Sequence, residues 1–227
     1  MELNADFFQR VLLHEDEVPW QASPMAGVQR RMLDRIGAEV ARATTIVRYA
    51  PGSHFSPHTH GGGEEFIVLD GVFQDEHGDF PAGAYVRNPP TSRHTPGSAP
   101  GCVIFVKLWQ FAPEDRTPVM IDMNKMASVE ARDRPGVSVM PLFEDARESV
   151  RLEMWAPGQA VGLDLPGGGE FLVLEGEFAE SGDRLRKHSW LRLPIGGQLS
   201  AVAGAEGARV WVKAGHLPFA KAPVVDV

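Results

Sequence analysis

Four residues of this 227-residue chain have the types and the order of a metal-ligand set. His58 and His60 are two positions apart, so an extended strand would send both imidazoles off one face, as a shared ion requires. Glu64 follows across Gly61-Gly62-Gly63, a segment flexible enough to bring a carboxylate back beside the two rings. His94, 30 residues beyond Glu64, is the fourth donor. Three imidazoles and one carboxylate suit one divalent ion, and ligand chemistry alone does not choose among zinc, iron, manganese and nickel, because imidazole serves all of them. With eight histidines in the chain, a His-x-His pair arises by chance about 0.3 times, so the full ordered set rather than the pair points to a metal. Glu65 competes with Glu64. Strand alternation would put the two on opposite faces, and the six residues separating Glu64 from Gly71 favour Glu64.

Strands must position such a set, and the chain reads as strands. Glycine (24) and proline (18) punctuate it at short intervals, well above average usage. Between them lie strand-length apolar runs: Thr44 to Tyr49, Phe66 to Leu69, Ala84 to Val86, Val103 to Leu108, Leu152 to Trp155, Phe171 to Leu174 and Val210 to Val212. Helical periodicity is scarce, and a short N-terminal helical segment over Ala5 to Leu13 is the best candidate. The fold class expected is all-β, a sandwich or barrel.

The pattern also runs twice. Ala50-Pro51-Gly52 recurs as Ala156-Pro157-Gly158, Gly61-Gly62-Gly63 as Gly167-Gly168-Gly169, the run Glu65 to Gly71 as Glu170 to Gly176, and Tyr85 to Pro89 as Trp190 to Pro194. Four matches in order imply two copies of one β-domain, with one residue lost from the second glycine loop. The domains expected are 1–120, an N-terminal barrel with the metal site, and 121–227, a degenerate barrel without metal ligands. The boundary is expected between Pro113 and Pro135. Aligning the copies sets Asp164 opposite His58, Pro166 opposite His60 and Leu199 opposite His94, while Glu170 falls near the glutamate position and can also align with Glu65. Proline and leucine cannot bind metal, so the second barrel is expected to be structural.

The two spacings, Gly52 through His58, His60 and Glu64 to Gly71, and Gly83 through Pro89 to His94, resemble the two motifs of the cupin superfamily, with Thr91 and Ser98 departing from the second motif. More narrowly, the run His58 to Gly71, with Asp75-Glu76, Gly78-Asp79, Tyr85 to Pro90 and His94-Thr95-Pro96, is similar to the cupin domain of ChrR-type anti-sigma factors. That resemblance covers most of residues 20 to 112. It implies tandem jelly-roll-like β-barrels, with His58, His60, Glu64 and His94 holding the ion, zinc in ChrR. ChrR-type regulators grip their sigma factor through an N-terminal helical domain with its own His and Cys zinc site. No cysteine precedes Cys102 here and the first copy begins near Trp20, so that sigma-binding half is expected to be missing, and direct sigma-factor binding with it.

Composition narrows the functions further. The 22 Lys+Arg against 30 Asp+Glu give a net charge of −8, which argues against a nucleic-acid binder. The single Cys102 excludes thiolate clusters and is expected to be a buried small apolar residue. An acidic start without a long apolar run makes the expected location cytoplasmic, with no membrane partner. His54 is read as a residue at the pocket mouth, an orienting neighbour of a ligand or an ordinary exposed histidine; Arg87 as a fold residue or an anion-steering one; Trp109, Trp155, Trp190 and Trp211 as packing residues. The leading functional reading is a metal-binding regulatory or sensory double cupin. The alternative is a non-haem metal dioxygenase acting on a small diketone or aromatic ketone. The partners expected are a small-molecule ligand or a regulatory protein, and the assembly a homodimer.

Overall fold

The structure, a computed structural model, describes residues 1–38 and 40–223. It forms two compact units, the first built chiefly from Met1–Ala5 and Val18–Lys125, the second from Asp6–Glu17 and Met126–Ala220. Each unit is a curled antiparallel sheet. In the first, neighbouring strands run in the order Glu2–Leu3, Val28–Gly37, Ala41–Tyr49, Cys102–Leu108, Glu64–Asp75, Ala84–Asn88, Val119–Asp122. In the second the order is Val129–Glu130, Val137–Glu144, Ser149–Trp155, Gly197–Ala214, Gly169–Glu180, Ser189–Leu193, Val11–His14. The two orders correspond strand for strand, the physical form of the sequence repeat, and every apolar run named above lies within a strand.

The long strand Glu64–Asp75 shows how a barrel closes. Its first half pairs with Cys102–Leu108, the register slips between Val103 and Ile104, and its last four residues pair with Gly78–Pro81. The slip bends the strand from one layer to the other. Alternate residues, Phe66 and Val68 with Ile104 and Val106, enter the core beside Val28, Val47, Phe55 and Phe73. The second core is built likewise from Val161, Leu165, Phe171, Leu191, Leu199 and Val210.

The helix expected over Ala5 to Leu13 is not formed. Val11–His14 is a strand on the edge of Ser189–Leu193, and only a single 3₁₀ turn, Glu15–Glu17, follows. A helix of this length is marginal by itself, whereas the sheet edge offers backbone partners and lets Leu12 pack on the second core. The strand Val28–Gly37 carries no readable alternation. Its register slips between Met32 and Asp34, and the fully buried Asp34 is compensated by Arg42 at 3.4 Å.

The register also corrects the alignment of the copies. His58 pairs with His94, and Leu163 pairs with Leu199. Glu64 faces Asn88 and Leu108, and Gly169 faces Leu193 and Ala214. The counterparts of His58, His60, Glu64 and His94 are therefore Leu163, Leu165, Gly169 and Leu199, not Asp164 and Pro166, which are exposed. The missing residue lies between Gly158 and Leu163, ahead of the glycine loop. Glu170 matches Glu65: Tyr85 donates to Glu65 (2.6 Å) as Trp190 donates to Glu170 (3.1 Å), and Lys107 and Arg87 flank Glu65 in register as Lys213 and Arg192 flank Glu170. Among the described residues no helix is long and apolar enough to cross a membrane.

Candidate metal centre

Two short strands, His58–Thr59 and Arg93–His94, pair antiparallel and bring His58 directly opposite His94. His60 is fixed one step further by its backbone, which donates from N–H to Ser92 O (2.9 Å) and accepts from Thr91 N–H (2.9 Å). The three rings sit 4.7 to 4.9 Å apart, centroid to centroid. One ring nitrogen from each lies within 4.8 Å of the others. Glu64 begins the next long strand, and its Oε2 stands 3.4 Å from His60 Nε2 and 3.6 Å from His94 Nε2. Glu65, one residue on, turns to the opposite face toward Tyr85. The structure thus brings together all four residues singled out in the sequence.

The glycine loop is a cradle rather than a flexible hinge. Gly63 has φ +77°, and a Cβ there would meet the Phe111 ring at 2.4 Å; one at Gly62 would meet the Trp109 ring at 2.3 Å. Trp109 itself adopts φ +59° to lie against the loop. This packing, with Trp109 N–H donating to Gly63 O (3.1 Å), aims Glu64 back at the histidines.

Three further residues complete the site. Asp75 Oδ2 lies 3.1 Å from His94 Nδ1, which leaves Nε2 to face Glu64. Asn88 donates to Glu64 Oε2 at 3.1 Å. His58 Nδ1 lies 3.2 Å from Ser56 O. Burial pushes the His60 imidazole below its ordinary range, reinforced by the charges of His94 and His58 against the opposing pull of Glu64. Burial opposes protonation at His94 too, yet the hydrogen bond to Asp75 and the Glu64 charge outweigh it and raise this imidazole. Asp75 is held low: its own burial is overcome by the bond to His94 and by the His77 backbone.

The site itself supplies the test of fit. His60 Nε2 and His94 Nε2 are buried with no hydrogen-bond partner among the described residues. An unsatisfied buried nitrogen costs roughly 1–3 kcal/mol, and two of them facing one carboxylate are accounted for if a cation belongs among them. The donor set fits a divalent ion.

Beside this cluster is a cavity of about 380 Å³. Its walls are largely apolar, from Val47, Phe55, Ile104, Val106 and Leu108 with Trp109, while His58, His60 and Glu64 supply the polar end. The other residues weighed in the sequence lie elsewhere. His54 is exposed and absent from the cavity wall. Arg87 is buried, paired with Asp115 (3.3 Å) and stacked on Phe111, a fold role matched by Arg192 over Phe7. Cys102 is buried, and burial pushes its thiol up to about 11. Asp75 was not singled out as a partner of the site, although it ends the long strand, and neither was Asn88; their roles depend on cross-strand register.

Comparison with known proteins agrees with this fold. Residues 8–112 match the ChrR Cupin-like domain family. Over those residues the chain is similar to a ChrR-like cupin, and the whole chain has the fold of a double cupin. No curated protein gives a significant match. Among solved structures, a candidate dioxygenase from Nostoc punctiforme superposes with TM-score 0.78 at 15% identity, covering 97% of this chain and 88% of that one. Oxalate decarboxylase of Lactobacillus farciminis, in a formate complex, gives 0.65 at 11% identity over 90% and 86%. The Escherichia coli pirin YhhW, in complex with nickel(II), gives 0.62 at 14% over 91% and 99%. At these identities the likeness is one of fold, and in this bicupin the ligand-type cluster found among the described residues belongs to the first barrel.

Proposed function

We propose that the first barrel holds one divalent metal ion through His58, His60, Glu64 and His94 and uses it to act on a small ketone, with dioxygenase chemistry as the reaction class. The observation that carries this reading is the cavity. A purely structural zinc site is closed by its four ligands and packed over, whereas here His58, His60 and Glu64 form one end of a small-molecule-sized, mostly apolar chamber. A bound ion of six positions would supply a Lewis acid beside space for dioxygen and substrate. The chain's own residues do the rest. Asp75 holds the Nδ1 proton of His94, Asn88 fixes Glu64 Oε2, and the apolar walls give a substrate's body a surface to pack on, while the exposed His58 leaves the metal end open to entry. The family match favours a second reading, a metal-dependent sensor in a regulatory circuit.

Metal analysis of protein purified without added metal, followed by oxygen-uptake assays on a panel of diketones and aromatic ketones, tests both. Iron, manganese or nickel with ketone-dependent oxygen consumption supports the enzyme. Stoichiometric zinc with no oxygen uptake after reconstitution with ferrous iron rejects it in favour of the sensor. Full metal retention in a His58→Ala/His60→Ala double variant would reject the ligand set itself.

A further inference from the structure

Arg30 also lines the cavity, and no role described so far uses it. It stands opposite Val47 on the strand Val28–Gly37, two residues from Val28, so alternation turns it to the face that enters the barrel. Its neighbours in space are committed elsewhere: Arg31 and Arg48 stack on the Trp20 ring at 4.2 and 4.4 Å, and Arg48 also donates to Gln29. The two fully buried arginines of this unit have acids, Arg42 with Asp34 and Arg87 with Asp115. Arg30 has no hydrogen bond, ion pair or ring contact among the described residues, and its Nε is buried without an acceptor. Of the carboxylates, Glu64 reaches the cavity wall, and its Oε2 is already shared by Asn88 and the two histidine nitrogens.

Arg30 is half-buried, with its Nε shielded from water and without an acceptor, so its guanidinium lines a largely apolar chamber with no group among the described residues to answer it, and its planar fork matches a carboxylate bidentately. We propose that the cavity takes a small oxo acid, its carboxylate held by Arg30, its body against Val47 and Ile104, and its carbonyl end toward His58, His60 and Glu64. This rests on the metal reading above and narrows its substrate class from ketones to ketones that carry an acid group. The low-end volume for a ligand site limits the body to about one aromatic ring or a short chain.

Calorimetric titration of 3-benzoylpropionate and of its methyl ester, into metal-loaded and chelator-stripped protein, tests the proposal. The acid should bind at least about tenfold tighter than the ester in both forms. Arg30→Met should remove that preference, and Arg30→Lys should restore part of it, while circular dichroism and metal content stay at wild-type levels. Equal binding of acid and ester, binding of neither, or a preference that survives Arg30→Met overturns the assignment. A preference present only with metal and indifferent to Arg30 means that the ion takes the carboxylate, which sustains the metal reading and rejects this one. An Arg30-dependent preference in a protein that retains no metal does the reverse.

Discussion

At the scale of single residues, the pair His94–Asp75 sets how tightly a metal is held and at what pH. The hydrogen bond at 3.1 Å orients the ring and makes Nε2 a better donor. Asp75→Asn is therefore expected to weaken metal binding by about 10–100-fold at pH 8, measured by competition with a chromophoric chelator. The same carboxylate, with Glu64, raises the His94 imidazole. In metal-free protein this pairing contributes stability below the ordinary imidazole range and loses it as pH rises through the raised value. Metal must displace that proton, so affinity should fall as pH drops, starting above the ordinary histidine range and approaching tenfold per unit for each proton displaced. Titrations between pH 6 and 8 that show no slope would contradict this, and Asp75→Asn should shift the onset downward. The four donors were legible because each sits in a local pattern: a two-residue strand step, a glycine loop, a motif spacing. Asp75 and Asn88 were not, because what they meet is 19 and 24 residues away and depends on pairing register, and neither was Arg30, whose place in the cavity wall depends on its register opposite Val47.

At the scale of elements, the glycine loop and the segment after Cys102–Leu108 form one packed unit. Trp109 occupies the space that a side chain at Gly62 would need. Gly62→Ala should cost about 1–3 kcal/mol through overpacking, displace Glu64, and lower metal affinity with it. Adding Trp109→Ala should recover part of that loss. A double-mutant cycle read from amide hydrogen exchange across Glu64–Asp75 and from metal affinity would show coupling between the two, and strict additivity would dismiss the contact as the cause. The repeat was legible in the same loop, but its phase was not. In a string of letters the three glycines of each copy match best when set directly over one another, whereas the left-handed φ at Gly63 and Gly168 and the pairing Leu163–Leu199 shift them by one and set Gly61 opposite Pro166. With that phase, every ligand position of the second barrel carries Leu or Gly, and Leu165 and Leu199 join its core. A hydrophobic interior has replaced the polar site, while the buried set around Glu170 has been kept. Its charge is compensated by His216 Nε2 at 2.8 Å and the Trp190 indole, with Lys213 answered by Glu148 at 2.9 Å. What the two barrels share is therefore the polar scaffold outside the pocket rather than the pocket.

At the scale of the whole molecule, the chain order does not separate the two units cleanly. Asp6–Glu17 lies in the second unit although the rest of the first follows it in sequence. This was hidden from the sequence because an edge strand of four residues carries little pattern, and its partner Ser189–Leu193 is more than 170 residues away. Three contacts tie the segment down: Phe7 is buried with its ring 4.3 Å from the Arg192 guanidinium, Arg10 bridges Glu180 and Asp183 at 2.7 Å each, and Leu12 packs on the second core. The exposed half of the Arg10 network is worth little, so most of the hold comes from apolar burial around Phe7 and Leu12 and from the strand pairing. Phe7→Ala should then cost about 3–5 kcal/mol locally, because it removes a buried ring and uncovers a buried cation together. Two units make global unfolding a poor measure, so amide hydrogen exchange is the appropriate one. Protection should drop across Ser189–Leu193 while that of Glu64–Asp75, and metal content, stay as in the wild type. If protection fell equally in both strands, the first barrel would depend on this segment as much as the second does, and the assignment of Asp6–Glu17 to the second unit would lose its energetic meaning.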